Sequence, residues 1–312
     1  MNSYDVAIIG AGPTGVSAAI KLSQAGLSVL VIERSKEIGG VSAKYKRTSI
    51  HTFMTPAGWL IKGEDYAGLL SDKLSRSSAD VWLCSQVLEA DQHLNCLSVV
   101  RKGYGKVRVN FKKIIFACGS REKSRTERGG IYGSRPSRVY YTMNLLNLIG
   151  ETADTPEFAA VLGEDLIAHS AATEISCHRS DALVTMVGDK GNRSNFFERL
   201  YFNFFGKNDW EAAEEMSING FNQPTRLKFA DKKMALDAVI IAGRLTPNSE
   251  LLQSSGVLLN QKERLPLLDG FRTSHKDWYA AGNIMGGFNS AFRCYRYGAQ
   301  CAAQLINDLA KK

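Results

Sequence analysis

Three glycines and one carboxylate near the start of the chain have the types and spacing to hold a pyrophosphate. In the stretch GAGPTG, Gly10 permits a tight turn out of a strand, Gly12 lets the backbone approach phosphate with no Cβ in the way, and Gly15 lets the following helix lie close to the strand. Pro13 and Thr14 open that helix, whose N-terminus presents unpaired N–H groups and a partial positive charge to an anion. Glu33 follows 23 residues after Gly10, where a carboxylate accepts hydrogen bonds from ribose hydroxyls. Glycines, helix start and acid in this order predict a dinucleotide site.

A second stretch, FAAVLGEDLIAHSA from Phe158, has the same rhythm but different chemistry. Its turn reads Gly163, Glu164, Asp165, Leu166, Ile167, Ala168, with Asp165 where a pyrophosphate turn needs its second glycine. Two like charges about 4 Å apart, at an effective dielectric of about 20, oppose each other by roughly 4 kcal/mol. Ordinary NAD(P)H binding is therefore not expected here, while a shifted pose or a different ligand stays open. Asp189, Lys190 and Arg193 beyond the next strand make no clean reader of a ribose or a 2′-phosphate.

The elements that must position these residues can be read from hydrophobic pattern. Tyr4 to Ile9, the helical spacing of Ala18 to Ala25, and Val29 to Ile32 form a βαβ unit, and continuously apolar strands fit a parallel sheet covered on both faces. A helix is expected over Tyr66 to Leu74, and a strand over Val81 to Ala90. Strands at Leu97 to Val100, Val107 to Phe111 and Ile114 to Ala117 complete an antiparallel meander that returns to the parallel sheet. A helix over Asn144 to Ile149 leads to a second βαβ unit of Ala159 to Leu162, Ile167 to Ile175 and Leu183 to Val187. Six aromatics between Asn195 and Phe205 suggest a packed helix face. Strands flanking NQP, a buried strand at Ala238 to Ala242, a strand at Trp278 to Ala280 and a helix from about Ala291 to Leu309 close the chain.

The totals agree with two domains: 312 residues, 44% hydrophobic and 22% charged. None of the six cysteines forms a C-x-x-C pair or a zinc-spaced cluster, which argues against a redox dithiol and for a reducing, cytoplasmic setting. No apolar run reaches the roughly 18 residues of a membrane helix, and no secretory leader opens the chain, so no membrane association is expected. The net charge of +8 is concentrated between Arg101 and Arg138, where twelve Lys or Arg face only Glu122 and Glu127. Few stacking aromatics accompany this run, so nucleic acid is not expected as a partner; an anionic substrate, an acidic partner or a solvated hairpin remain open.

Beyond the turns, YDVAIIGAGPTG, VIERSKEIGG, IIFACGS, GRLTPNSELL and TSHKDWYAAGN occur in the order that resembles the two-dinucleotide-domain flavoproteins, the thioredoxin reductase group and its pyridine-nucleotide-dependent relatives. ACGSREKSR and GSRPSRVYYTMNLLNLI are similar to the branch with the flavin subunits of opine oxidase and hydrogen cyanide synthase. The resemblance implies an α/β fold of two Rossmann-like three-layer domains. A discontinuous FAD domain, residues 1–120 and 244–312, would enclose a smaller second domain, residues 121–243, kept as a scaffold with a decayed nucleotide turn. It also implies FAD on the first turn: Gly10, Gly12, Pro13, Thr14 and Gly15 at the pyrophosphate, Glu33 at the adenosine ribose, and Val87 at the adenine through its backbone. Arg34, Gly40, Val41, Ala117, Gly119 and Gly282 join the same set. Asn283, where many members have Asp, would meet the flavin side. The helix beginning near Ala291, with Phe292 in its first turn, would direct a partial positive charge at the flavin.

Lys44, Tyr45, Lys46, Arg47 and His51 fall where relatives run past the flavin ring. His51 has the intrinsic pKa of a catalytic base, or is an ordinary loop histidine. Arg121, Arg125, Arg135 and Arg138 are candidates to clamp a substrate carboxylate, or surface residues, and His169 and His178 read as structural. The expectation is an FAD-dependent oxidoreductase without a dithiol, oxidising a small amine or amino-acid-like substrate or relaying electrons to a partner protein. Alternatives are an NAD(P)H-dependent reductase with an unusual nicotinamide site and a flavin-bearing subunit of a homodimer or hetero-oligomer.

Overall fold

A computed structural model describes residues 2–45, 52–149, 155–163, 165–188, 209–213, 215–222, 224–287 and 289–310. The chain divides into two compact units. One comprises Met1–Ala43, Thr52–Arg121 and Thr246–Lys312; the other comprises Lys44–His51 and Glu122–Leu245.

In the first unit, strands β1 (Asn2–Ile9), β2 (Val29–Ile32), β3 (Asp80–Trp82), β4 (Ser85–Asp91), β5 (Cys96–Arg101) and β6 (Gly105–Phe116) lie in the order β3-β2-β1-β6-β5-β4. Strand Trp278–Ala280 pairs with the end of β6, parallel to it. β6 serves two sheets' worth of pairing: its first half runs antiparallel to β5, and its second half runs parallel to β1. Helices α1 (Pro13–Gln24), α2 (Gly63–Ser75) and the C-terminal helix Ala291–Ala310 pack on one face, where Val16, Leu22, Tyr66, Leu70, Cys301 and Leu305 are buried. The opposite face buries Trp82, Leu97, Phe116 and Trp278.

Two expectations are corrected here. The single strand expected over Val81 to Ala90 is two strands with different partners, β3 parallel to β2 and β4 antiparallel to β5. The break falls at Leu83 and Cys84, where Cys84 adopts a left-handed φ of 48°. Conversely, the strands expected at Val107 to Phe111 and Ile114 to Ala117 are one continuous β6, because Lys113 is buried in the strand and bonds to Asp277.

The second unit carries a parallel sheet of β7 (Val139–Tyr141), β8 (Phe158–Leu162), β9 (Leu183–Gly188), β10 (Asp209–Ala212) and β11 (Ala238–Ile241), ordered β7-β11-β8-β9-β10. Helices α3 (Arg125–Arg128), α4 (Thr142–Ile149) and α5 (Leu166–His178) belong to it. Leu145, Ile149, Val161, Ala172, Ile175 and Ile240 form the core on the α5 side. A four-stranded sheet, Ile131–Gly133, Met216–Gly220, Pro224–Phe229 and Lys232–Ala235, covers the other face through Ile218, Leu227 and Phe229. Both parallel sheets place the carboxyl ends of central strands beside the start of a helix, the usual location of a ligand crevice in such folds.

Candidate functional site

The first glycine turn is held by contacts that leave no room for side chains. Gly10 has φ +107°, and a Cβ there would lie 2.5 Å from the Ala117 carbonyl oxygen. A Cβ on Gly15 would lie 1.9 Å from the Gly10 carbonyl oxygen, so this helix residue can only be glycine while α1 enters at this angle. Gly40 opens a one-turn 3-10 segment, Gly40–Lys44, and lies against Gly12.

Helix α1 starts at Gly12 with Pro13 in its first turn and with no side chain capping it. Its first N–H groups are thus left for a ligand. The Glu33 carboxylate, only 8% exposed, accepts from the Ala11 N–H and the Ser35 N–H, each at 2.8 Å, one on each oxygen. Each oxygen keeps a further acceptor position. A dinucleotide's pyrophosphate and ribose fit this combination of an uncapped helix start, a cleared backbone and a fixed carboxylate.

The remaining first-unit residues fall into three groups. Val87 is buried in β4, next to a bulge in its pairing with β5. Ala117 donates its N–H to Ile9 at 2.9 Å, and the Gly119 carbonyl accepts from Asn248 N–H at 3.1 Å. Gly282 and Asn283 start a short 3-10 turn, where Asn283 Oδ1 accepts from Asn289 N–H at 3.0 Å and lies 3.4 Å from the Cys294 thiol. Phe292 is in the first turn of the C-terminal helix, beneath the Arg296 guanidinium. Arg34 and Val41 are exposed. The Ser290 hydroxyl, unforeseen from sequence, accepts from Arg293 N–H at 3.3 Å and takes one of that helix's free donors.

The second turn is built differently. Asp165 caps α5: Oδ1 accepts from Ile167 N–H at 3.1 Å and Ala168 N–H at 3.0 Å, and Oδ2 accepts from Arg244 N–H at 3.2 Å. The carboxylate foreseen as an obstacle is a helix cap, a role its place just before an apolar helical run signals. Beside it, Glu122 accepts from Gly243 N–H at 3.0 Å and Met143 N–H at 3.3 Å, and burial raises its pKa. Arg128 reaches the Ala242 and Leu162 carbonyls, at the ends of β11 and β8. Burial, with a smaller contribution from Arg244, lowers its pKa to about 10. Sequence reasoning missed Arg128, although Ser124 and Glu127 spell the capping box that fixes α3 and aims it.

The basic run divides between the two units, and its members have separate partners. Arg101 stacks over Trp82 and Tyr104, and Arg121 pairs with Glu250 at 3.2 Å. Arg125 bonds to the carbonyls of Ile131, Tyr132 and Ser134, and Arg138 pairs with Asp237 at 3.5 Å. Arg135 is exposed. Tyr45 is buried with its hydroxyl 2.9 Å from Ser170, and Lys44 ends the 3-10 segment. His178 Nδ1 lies 2.9 Å from the Glu174 carbonyl on α5, which also carries His169. His51, Lys46, Arg47, Glu164, Asp189, Lys190, Arg193 and the aromatic stretch Asn195 to Phe205 lie outside the described residues. Among the described residues no group of His, Cys, Asp and Glu is arranged to hold a metal, and no helix is long and apolar enough to cross a membrane.

Residues 4–298 match the pyridine nucleotide-disulphide oxidoreductase family. The chain belongs to that family. It is similar to the soluble pyridine nucleotide transhydrogenase of Pseudomonas putida strain W619, 25% identical over 98% of this chain and 71% of the relative. Among solved structures it resembles T. acidophilum thioredoxin reductase, with a TM-score of 0.78, 20% identity and coverage of 99% and 100% of the two chains. It also resembles L-proline dehydrogenase from P. horikoshii, with a TM-score of 0.72, 18% identity and coverage of 99% and 56%. The structural likenesses show the two-domain, thioredoxin reductase-like Rossmann fold, and the family makes this chain an FAD-dependent oxidoreductase. The doubt over NAD(P)H is not borne out by these comparisons, since the pyridine nucleotide family spans the second unit as well.

Proposed function

We propose that this chain is a flavin dehydrogenase that works without a dithiol, taking hydride directly from a small amine or amino-acid-like substrate, in the manner of the branch that includes opine oxidase and hydrogen cyanide synthase. Bound FAD would supply the hydride-accepting ring. On the protein side, the uncapped N–H groups of Thr14 and Gly15 would face the pyrophosphate, and Glu33 would take the adenosine ribose on its remaining acceptor positions. The backbone of Val87 would meet the adenine. Asn283, whose oxygen is engaged with Asn289, would offer its amide to the flavin side, and the first turn of the C-terminal helix would stand at the ring.

The observation that carries the reading is the condition of the thiols. All six cysteines are free. Cys118 and Cys294, which adjoin the flavin-facing segments, are pushed up to about 12 and about 11 by burial. A disulfide relay needs a thiolate within reach of a second sulfur. Burial keeps both as thiols at neutral pH, which supports electrons crossing between flavin and a small molecule or an external acceptor rather than a disulfide relay.

A second reading, reduction of the flavin by NAD(P)H, is favoured by the family match through the second unit and by relatives named for pyridine nucleotides. Anaerobic titration of the purified, FAD-loaded protein separates the two. A panel of amino acids and amines should bleach the visible flavin band, whereas NADH and NADPH should leave it. Bleaching within seconds by either nucleotide, with none by the panel, overturns the first reading in favour of the second.

A further inference from the structure

Asp165 does more than remove a glycine from the second turn. Its two oxygens take three backbone N–H donors, from Ile167, Ala168 and Arg244, which are the kind of donors a pyrophosphate takes at a helix start. The rest of such a seat is still built. Gly163 packs so closely that a Cβ would lie 2.6 Å from the Ala242 carbonyl oxygen, and Gly243 leaves a space that the Asp165 carboxylate fills, 1.9 Å from where a Cβ would stand. Two cations, Arg128 and Arg244, are near enough for the guanidinium of Arg128 to feel both the other arginine and Asp165. Helix α1 has a like turn and no side-chain cap.

We propose that Asp165 is an internal anion occupying an otherwise intact phosphate seat at the start of α5, and that it is the residue that sets this chain against nicotinamide nucleotides as electron donors. The carboxylate, with Glu122, faces Arg128 and Arg244, and it satisfies the helix start, so an entering pyrophosphate meets a like charge where it needs donors. Removing the carboxylate frees three N–H groups for the nucleotide. The inference rests on the proposed function only in taking FAD to lie in the first unit; it concerns which donor the second unit admits.

The test is calorimetric titration of NADH and NADPH into the full-length, FAD-loaded wild type, Asp165→Ser and Asp165→Gly. Serine retains a hydroxyl that caps a helix, so that variant keeps α5 in place if the glycine variant fails to fold. Either nucleotide should bind Asp165→Ser at least about 10-fold more tightly than the wild type, a modest part of what a removed like charge can contribute. Equal or weaker binding to Asp165→Ser, whether or not the wild type binds, overturns the proposal. Failure of amino acids and amines to bleach the flavin would instead remove the proposed function and leave this comparison standing.

Discussion

Glu33 and Asp165 are carboxylates that each accept backbone N–H groups, yet one leaves a helix start open and the other closes it. Glu33 sits at the end of β2 and steadies the turn from the side, through Ala11 and Ser35. Glu33→Gln puts an amide –NH2 against one of those N–H donors, and a lost hydrogen bond to a charged group costs about 1.5–3 kcal/mol. FAD should then bind at least about 10-fold more weakly in a fluorescence titration of the apoprotein; unchanged affinity would show that the carboxylate holds no cofactor. Glu122 offers a different measurement. Its folded pKa is raised above the unfolded value by burial, so the native state binds the proton more tightly. That contribution is fully present below the unfolded pKa of about 4.3 and fades as pH rises through the raised range. Glu122→Gln should therefore be less stable than wild type at low pH, by about 1–2 kcal/mol, with the gap narrowing toward neutrality in denaturant titrations. A gap constant with pH would remove the titration from the account.

At the scale of elements, the site depends on how closely the C-terminal helix approaches α1. A Cβ on Gly298 would lie 2.0 Å from the Thr14 carbonyl oxygen, and the Thr14 hydroxyl bonds to the Cys294 carbonyl at 3.0 Å. Gly298→Ala should cost about 1–3 kcal/mol of overpacking, read as a lower denaturant midpoint, and should weaken FAD binding too because Thr14 stands in the phosphate turn. The same elements show what was legible in the sequence. Apolar runs at Val6 to Ile9 and Val29 to Ile32 announced buried parallel strands, and the structure places them side by side. The spacing of Gly10, Gly12, Gly15 and Glu33 likewise announced one crevice. The continuity of β6 was hidden because Lys112 and Lys113 look like a break. What makes the strand whole is a partner for Lys113 at Asp277, far along the chain. The split between β3 and β4 was hidden for a related reason: no Gly or Pro separates the two segments, and only their separate neighbours make them two strands. Asp165's place before α5 signals its cap, but its third donor was not legible, since it comes from Arg244, across 79 positions of sequence.

Over the whole molecule, the two units have their own cores, and the residues proposed to hold FAD all belong to the first, although its sequence comes from three separate stretches. A ligand that binds only the native state stabilises it by RT ln(1 + [L]/Kd), about 2.7 kcal/mol at 100 times Kd. That gain is expressed where the ligand holds backbone, so its distribution along the chain reports where the cofactor lies. In hydrogen-exchange mass spectrometry of apo and FAD-loaded protein, slowed exchange is expected in residues 10–16, 33–41 and 282–294 together, three segments far apart in sequence that meet only in this fold. Residues 165–170 at the start of α5 should exchange alike in both forms, because Asp165 already holds the N–H groups of Ile167 and Ala168. Protection by FAD at α5 with none at α1 would place the cofactor on the wrong turn and overturn the assignment of the two helix starts.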